Sequence, residues 1–449
     1  MLNVNDNEVL CRVGPGTPMG ELFRQYWIPA LPSSEFPAPD SPPKRMKLLG
    51  ENLVMFRDSS GKAGCFREAC PHRGASLFFG RNEEAGLRCV YHGWKFDVSG
   101  ACVDMPSEPA ESNFKTKVRV KAYPCRDVNH MVWVYMGPRE VPPPLPEFEI
   151  NTLPPENVGE PAIMMEEANW MQNLEGDLDT AHLDWLHARR TEDAPALPGQ
   201  IRGTWTGDKQ PRLNVVPTEY GAYYSGIRSV DANREWHRIN QFIFPFHTMI
   251  TGGTGPVLRS FVPLDDEWAM LITQTGSLKG PIDEDPGASL GIRGAEWRDP
   301  FAAAGGYVER TSDPRTYFYT KANKHNDYLR DYEAEKTSMV SGVPFVLNLQ
   351  DRAMTELMSN ERGEVIYDRS REHLGTTDVM CIIVRRLLVS AAKAFATEGR
   401  LPANVDNVVL DHVRHATALL PNGADWVRAT EQQRSADSGL EISAAVGLF

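Results

Sequence analysis

Apolar and polar positions in the first third of the chain predict mainly β-strands. Lys47 to Asp58 reads K-L-L-G-E-N-L-V-M-F-R-D, in which two short apolar segments flank a Gly-Glu pair, a pattern typical of a β-hairpin. Met131 to Tyr135 predicts another strand, and Met19 to Trp27 a short helix after a turn. The proline-rich run from Pro138 to Pro146 is typical of a connector. We therefore expect a β-rich first domain over residues 1–138.

Helical and strand patterns alternate in the rest of the chain. Glu166 to Arg190 has a helical composition, with acids early and arginines late. Runs such as R-I-N-Q-F-I-F-P-F, between Ile201 and Gln274, predict an antiparallel sheet, whereas residues 279–340 predict an irregular insertion. Helical patterns return in Val346 to Ser359, Asp378 to Thr397 and Ala403 to Leu420. The sequence thus predicts an α+β protein with a second domain over residues 139–449.

Composition and charge narrow the class of protein. The 449 residues are 41% hydrophobic and 24% charged, with a net charge of −13, which disfavours a nucleic-acid or anionic-membrane partner. The most apolar stretch, Val379 to Ala396, contains Arg385, Arg386 and Lys393, so we expect no transmembrane helix. The N-terminus lacks the pattern of a signal peptide, and seven scattered cysteines do not form a disulfide framework. These features predict a cytoplasmic protein.

Two Cys/His pairs form the first candidate metal site. Cys70-x-His72 and Cys89-x-x-His92 each offer one thiolate and one imidazole. The common zinc patterns instead place two thiolates together and two imidazoles together. A Rieske [2Fe-2S] cluster takes both sulfurs on one iron and both imidazoles on the other, so the mixed pairs favour the cluster over zinc, which remains the alternative.

A second candidate site lies in the helical stretch, where Asp179, His182 and His187 read D-x-x-H-x-x-x-x-H. Two imidazoles and a remote carboxylate suit a mononuclear non-haem iron with open positions. On an ideal α-helix a spacing of five would point the two imidazoles roughly 140° apart, so sharing one metal requires a π-turn or a break between them. Asp179, three residues before His182 on the same predicted helical face, is expected to accept the other ring N–H of His182.

Together these motifs resemble those of the Rieske non-haem iron ring-hydroxylating oxygenases. C-P-H-R-G-A and C-V-Y-H-G-W-K-F-D resemble the cluster motif, and N-W followed by E-x-x-x-D-x-x-H-x-x-x-x-H resembles the iron motif. The resemblance covers most of the chain. It implies a terminal oxygenase with a β-rich Rieske domain and a catalytic domain in which helices flank an antiparallel sheet, a helix-grip or START-like fold.

The same resemblance implies the third iron ligand. Q-D-R-A-M-T-E resembles the segment in which the family supplies its carboxylate, which selects Asp351; Glu356, Asp368 and Asp378 are the other candidates. Many relatives carry Asn at the position of Glu175, and we expect this difference to alter only the polarity of the pocket.

Asp179 has a further role by resemblance. In the family this carboxylate also reaches the cluster-ligating histidine of a neighbouring subunit, here His92, so that electrons cross between chains. Because each cluster must then meet the iron of another chain, a closed homo-oligomer is implied, as a trimer or two stacked trimers.

The substrate is also suggested by resemblance. Runs such as G-P-G-T-P-M-G and D-M-P-S-E-P are most similar to the phthalate dioxygenase group, which implies an aromatic carboxylate as substrate and a separate flavin and iron-sulfur reductase. In a protein of net charge −13 such an anion needs a local cationic clamp, best made of arginine. Arg212, Arg238 and Lys209 are the candidates, and strand alternation predicts that Arg238, Asn240 and Phe242 share one sheet face.

We therefore expect an enzyme of aromatic hydrocarbon catabolism that uses O2 and electrons from NAD(P)H, through the reductase, for cis-dihydroxylation. A monooxygenase that removes an O-methyl or N-methyl group is one alternative. A non-catalytic electron carrier is an alternative of another class, although intact Asp179, His182 and His187 speak against it.

Overall fold

The computed structural model describes residues 2–188, 208–251, 255–282, 305–344, 347–359, 363–406 and 409–436. The predicted helical residues Arg189 and Arg190 and residues 283–304 of the predicted insertion lie outside these ranges. None of the described helices is both long enough and apolar enough to cross a membrane.

The first part of the chain forms small antiparallel sheets. Their strands are β1 (Trp27–Pro32), β2 (Lys44–Leu48), β3 (Glu51–Arg57), β4 (Ala63–Arg67), β5 (Arg81–Glu83), β6 (Gly86–Arg88), β7 (Lys95–Phe96), β8 (Cys102–Asp104), β9 (Ala122–Tyr123), β10 (Cys125–Val128) and β11 (Met131–Tyr135). The strand orders are β1-β11-β10, β2-β3-β4-β9 and β5-β6-β7-β8. β2 and β3 form the predicted hairpin; the turn of the first Cys/His pair lies between β4 and β5, and that of the second lies between β6 and β7.

The second part is built on one large sheet. Its strands are β12 (Ala162–Glu166), β13 (Arg212–Thr218), β14 (Gly221–Ser229), β15 (Arg234–Ile243), β16 (His247–Met249), β17 (Val257–Pro263), β18 (Ala269–Thr275) and β19 (Ala416–Pro421). The order is β12-β18-β17-β16-β15-β14-β13, and β19 also pairs with β15. Every pairing is antiparallel, as the alternating sequence pattern predicts.

Helices cover this sheet. They are α1 (Val4–Cys11), α2 (Pro18–Phe23), α3 (Glu149–Thr152), α4 (Trp170–Leu178), α5 (Tyr332–Thr337), α6 (Leu347–Thr355), α7 (Val379–Glu398) and α8 (Trp426–Ala429). α7 buries Met380, Val384, Leu388 and Ala392, which share one face at intervals of four residues, and it ends at Gly399 in the left-handed conformation. α1 and α2 pack against α7, so the N-terminal arm contacts the second part of the chain.

The predicted α+β class is confirmed, with a β-rich first part and a second part of antiparallel sheet and helices. Two predicted helices are wrong. Glu166 to Arg190 is not continuous, because Glu166 ends β12 and α4 stops at Leu178. Ala403 to Leu420 is not a helix either, because Ala416 to Leu420 pair with Ile239 to Glu235 of β15. That pairing joins segments far apart in sequence, which local composition does not reveal.

Candidate metal centres and substrate pocket

Two turns of the same construction present the Cys/His pairs. In the first, the Gly74 N–H donates to the Cys70 carbonyl at 2.9 Å; in the second, the Gly93 N–H donates to the Cys89 carbonyl at 2.9 Å. Gly74 and Gly93 have φ values of +76° and +79°, which residues with a Cβ rarely adopt. The glycine after each pair thus closes a tight turn that holds cysteine and histidine on one loop.

The four side chains are grouped by the type of ligand atom, sulfur with sulfur and nitrogen with nitrogen, although each turn supplies one of each. His72 Nδ1 and His92 Nδ1 are 3.1 Å apart. Burial, together with the adjacent Cys89 thiol, raises the pKa of Cys70 to about 12. The thiols of Cys70 and Cys89 thus lie together, as do the imidazoles of His72 and His92. A Rieske cluster takes both sulfurs on one iron and both imidazoles on the other, so this grouping fits a two-iron cluster.

Trp94 packs against one of these two histidines. Its ring stacks on His72, with centroids 4.2 Å apart and planes at 17°, and its Nε1 donates to Ser107 Oγ at 3.0 Å. The two cysteines are buried, while Val90 and Tyr91, beside His92, are more than half exposed. The sulfurs therefore lie inside and the imidazoles lie at the surface, where electrons can be exchanged with another protein.

A break in the chain direction brings His182 and His187 together. α4 ends at Leu178, Asp179 is extended, and a 3-10 turn covers His182–Asp184. Trp185 then adopts a non-helical conformation with φ −120° and ψ −67°. The distortion that the spacing of five requires is thus present, and the two imidazole rings lie with centroids 5.0 Å apart at an angle of 77°.

Asp351, on α6, completes a group of three ligand atoms. Its Oδ1 is 3.0 Å from His187 Nε2 and 3.5 Å from His182 Nε2. Donor atoms on neighbouring positions of a metal, each about 2 Å from it, stand about 3 Å apart. Burial alone would raise the pKa of Asp351, but the two histidines outweigh it and hold that pKa below its usual value. Two imidazoles and one carboxylate on one side of a point suit a non-haem iron with open positions.

Asp179 lies against the other ring nitrogen of His182. Its Oδ2 is 3.3 Å from His182 Nδ1, and its Oδ1 accepts from the Ala181 N–H at 2.6 Å. Burial opposes ionisation of Asp179, but His182 outweighs that effect and lowers the carboxyl pKa. The expected contact is present, although Asp179 reaches His182 from an extended residue after α4 and not from a shared helical face.

The other candidate carboxylates are engaged elsewhere. Glu356 is buried in an ion pair with Arg352, whereas Asp368 and Asp378 accept from the backbone N–H groups of Ser370 and Gly375. Glu175 was expected to alter the polarity of the pocket, but its carboxylate is also engaged elsewhere. It pairs with Arg369 and Arg385 in an ion cluster between α4 and α7, so it does not set the polarity beside the three ligand atoms.

Arg238 occupies the inner face of the sheet near His182. Arg238, Asn240 and Phe242 alternate along β15 on this face, opposite Gly226, Tyr224 and Ala222 of β14. Burial lowers the pKa of the Arg238 guanidinium; among the described residues its Nη2 donates to the Thr251 carbonyl at 3.3 Å, and its Nε finds no partner there. Among the described residues Arg238 has no carboxylate partner.

The other buried arginines of this half differ from Arg238 because each forms an ion pair. The pairs are Arg228 with Asp184, Arg259 with Asp177, Arg352 with Glu356, Arg369 with Glu175, Arg385 with Glu372 and Arg414 with Glu149. A buried guanidinium without a counter-ion is costly, so the environment of Arg238 suits an incoming anion.

The structure does not bring Arg212 or Lys209 to Arg238. Arg212 aligns with Ile227 and His237, on the opposite sheet face, where it pairs with Glu235 and is largely exposed. Lys209 lies over the Trp185 ring at 4.6 Å. The three expected residues therefore do not form a clamp. Neighbouring residues of a strand face opposite sides of the sheet, and the sequence alone does not determine how the strands align with one another.

Sequence reasoning missed Gln350 and the contact of Asn240 with Tyr224. Gln350 Oε1 is 2.8 Å from His187 Nδ1, and Asn240 Nδ2 donates to the Tyr224 hydroxyl at 2.9 Å. Gln350 directly precedes Asp351, but no spacing rule marks it. Asn240 and Tyr224 become neighbours only through the register of β14 and β15.

Family models match both halves of the chain. Residues 26–124 match the Rieske [2Fe-2S] domain, and residues 134–446 match the model described as LigXa C-terminal domain like. The second match alone spans more than half of the chain, and the first contains both cluster-binding turns.

Characterised relatives match nearly the whole length. The oxygenase subunit of 3-chlorobenzoate-3,4-dioxygenase from Comamonas testosteroni is 39% identical over 439 residues, 96% of this chain and 99% of the relative. The oxygenase subunit of phthalate 4,5-dioxygenase from Pseudomonas putida is 34% identical over 442 residues, 95% of this chain and 94% of the relative. The crystal structure of dicamba monooxygenase shares the fold, with a TM-score of 0.57 at 15% identity over 84% of this chain and 99% of that one.

Proposed function

This chain belongs to the Rieske terminal oxygenases, and from that premise we propose that it cis-dihydroxylates an aromatic carboxylate. It is a Rieske-type oxidoreductase with a [2Fe-2S] cluster and a mononuclear non-haem iron. We assign the cluster to Cys70, His72, Cys89 and His92, and the iron to His182, His187 and Asp351. When bound, the iron supplies activation of O2 next to the substrate, and the cluster supplies the electrons.

The observation that carries the substrate class is the unpaired Arg238. Its guanidinium is buried beside His182 and, within the described residues, it differs from the six paired arginines of the same half. A substrate carboxylate would accept charge-assisted hydrogen bonds from Arg238 and relieve the cost of the buried cation. The names of the two long relatives, a chlorobenzoate and a phthalate dioxygenase, support the same class of substrate.

The residues around Arg238 explain how a ring would be held. The Tyr224 hydroxyl accepts from Asn240 and donates to the Asp177 carbonyl, so both side chains are fixed on the inner sheet face. A carboxylate on Arg238 would lie near His182, because Arg238 is close enough for its charge to act on that imidazole. Anchoring the substrate by one end orients the rest of it at the reacting site, which is the contribution that the protein makes to such a reaction.

We further propose that electrons reach the iron from the cluster of a neighbouring chain. Asp179 contacts His182 and its side chain is 30% exposed, so it can be reached from outside. Apolar side chains are exposed near both centres: Val90 and Tyr91 beside His92, and Trp185 and Met354 near the iron ligands. Exposed apolar patches mark interaction surfaces, which supports a closed trimer or stacked trimers in which these two patches meet.

The electron donor in this proposal is an NAD(P)H-dependent flavin and iron-sulfur reductase. Relatives of this type are oxygenase subunits, which work with a separate electron-transfer partner. Histidine ligation raises the potential of a Rieske cluster above that of a plant-type ferredoxin, so the cluster is a suitable acceptor. None of the seven cysteines, all of which lie in the described residues, forms a disulfide, which supports the expected cytoplasmic location.

The test is reductase-dependent O2 uptake with benzoates and phthalates, followed by product analysis with 18O2. A cis-dihydrodiol with both oxygen atoms from one O2 molecule is the expected product. One labelled atom with loss of a methyl group would indicate the monooxygenase alternative. Uptake with neutral aromatics but not with any carboxylate would contradict the assigned substrate class.

A further inference from the structure

Gln350 contacts an iron ligand through a side chain that no motif identifies. It lies on α6 directly before Asp351 and is 1% exposed. Its Oε1 is 2.8 Å from His187 Nδ1, the ring nitrogen on the far side from Asp351. One short helix therefore supplies both the carboxylate ligand and the hydrogen-bond partner of a histidine ligand.

The surroundings fix which way the Gln350 amide points. Its Nε2 donates to the Val343 carbonyl at 3.1 Å and to Ser341 Oγ at 3.3 Å. A backbone carbonyl can only accept, so the opposite orientation would set two oxygens against each other. Oε1 is consequently the atom that faces His187, and an amide oxygen can only accept.

The proton on His187 is located by the same argument. Because Gln350 Oε1 accepts, Nδ1 must carry the hydrogen and Nε2 is left with its lone pair. Nε2 is the atom that stands 3.0 Å from Asp351 Oδ1 in the ligand group. The tautomer selected by Gln350 is thus the one that a metal ion requires.

We propose that Gln350 is a positioning residue that holds His187 in its Nδ1–H tautomer and presents Nε2 to the iron. The inference rests on the proposed assignment of His182, His187 and Asp351 as ligands. His182 is held by a carboxylate, Asp179, but His187 by a neutral amide. A carboxylate in place of the Gln350 amide would add a second buried negative charge near Asp351. The amide orients the His187 ring without adding a charge.

The experiment measures the Fe(II) affinity of the catalytic site by anaerobic chelator competition in protein with an intact cluster. Gln350→Leu removes the acceptor and is expected to weaken Fe(II) binding about 10–100-fold. Gln350→Glu keeps an acceptor for His187 but loses the bonds to Val343 and Ser341. It should therefore lower the thermal stability while retaining an affinity close to that of the parent protein.

Gln172→Leu is the matched control. Gln172 is also 1% exposed, donates to the Thr355 carbonyl at the end of α6 at 2.9 Å and accepts from the Tyr367 N–H at 2.9 Å, but it touches no ligand. Its loss should reduce stability without changing Fe(II) affinity. If Gln350→Leu does not fold, Gln350→Met, which also lacks an amide acceptor, carries the same expectation.

The outcomes separate this inference from the ligand assignment. Parental Fe(II) affinity in Gln350→Leu, or affinities that follow thermal stability across all variants, would overturn the positioning role. His187→Ala serves as the reference: its loss of Fe(II) supports the assigned site. Retention of Fe(II) by His187→Ala would instead refute the assignment itself, and with it the role of Gln350.

Discussion

The cluster turns and the catalytic-iron site place their ligands by different means. Cys70, His72, Cys89 and His92 lie on two turns closed by local backbone hydrogen bonds, with the imidazoles near the surface. His182 and His187 come from the segment after α4, Asp351 comes from α6, far away in sequence, and His187 is 2% exposed. The first arrangement exposes the atoms through which electrons pass, and the second buries the point at which O2 and substrate react.

This difference determines what damages each site. A turn can lose its geometry through one backbone change, whereas the iron site depends on how α6 and the segment after α4 are held against each other. Side chains that contact the ligands, such as the partly exposed Asp179 and the buried Gln350, therefore matter in the second site as partners of its histidines.

The largest expected effect is loss of the mononuclear iron without loss of the cluster. His182→Ala removes one of three iron ligands and should abolish turnover and mononuclear iron, while the visible absorption of the cluster persists because the turns are independent of His182. Iron analysis, absorption spectra and turnover measure this. Unchanged activity would rule out the iron assignment.

Asp179→Asn should affect only electron transfer from the cluster to the iron. The amide keeps the shape of the side chain but removes the charge that faces His182, so both metals should remain bound while electron transfer between them slows about 10–100-fold or more. Single-turnover oxidation of the reduced cluster, followed by stopped-flow absorption, gives the rate. Rapid oxidation in this variant would remove Asp179 from the electron path.

Arg238→Gln should weaken substrate binding and leave both metal centres intact. Hydrogen bonds to a charged group contribute about 1.5–3 kcal/mol, so KM for the carboxylate substrate should rise about 10–100-fold. The variant should lose its preference for the carboxylate over the matching amide. Arg212→Gln is the control, because Arg212 lies on the opposite sheet face. Equal effects of both substitutions would contradict the assignment of Arg238 as the residue that binds the substrate carboxylate.

The smallest expected effect is the difference between alanine substitutions at the two turn glycines, Gly74 and Gly93. Both have positive φ, so alanine costs about 1 kcal/mol at either position. A Cβ on Gly93 would also lie 2.5 Å from Pro106 Cγ, whereas one on Gly74 meets nothing within 4 Å. Gly93→Ala should therefore lower Tm and cluster content more than Gly74→Ala. Equal losses would show that the contact with Pro106 relaxes freely.

The same contrast explains what the sequence could predict. The cluster ligands form a local pattern, and their spacing identified the cluster without any knowledge of the fold. The spacing of His182 and His187 indicated that the helix must be distorted, but not that α4 ends before His182. Asp351 required a resemblance, supported by its place within a predicted helical run, whereas Asp368 and Asp378 fall at turn-like or helix-start positions.

Residues whose role depends on register were the least predictable. Alternation placed Arg238 and Asn240 on one face, but only the pairing of β13 with β14 shows that Arg212 faces the other way. β19 was mistaken for part of a helix because its partner, β15, is remote in sequence. Gln350 gave no signal at all, since its role depends on Val343, Ser341 and His187 meeting in space.

The central claim is that the cluster of one chain serves the iron of another, and mixed oligomers test it most directly. Cys89→Ser chains lack the cluster but keep the iron site, and His182→Ala chains have the reverse defect, so each preparation alone should be inactive. Oligomers that contain both chains, purified through two different tags, should recover reductase-dependent product formation. Verified mixed oligomers that remain inactive, with the intact centre of each chain still loaded, would contradict the account.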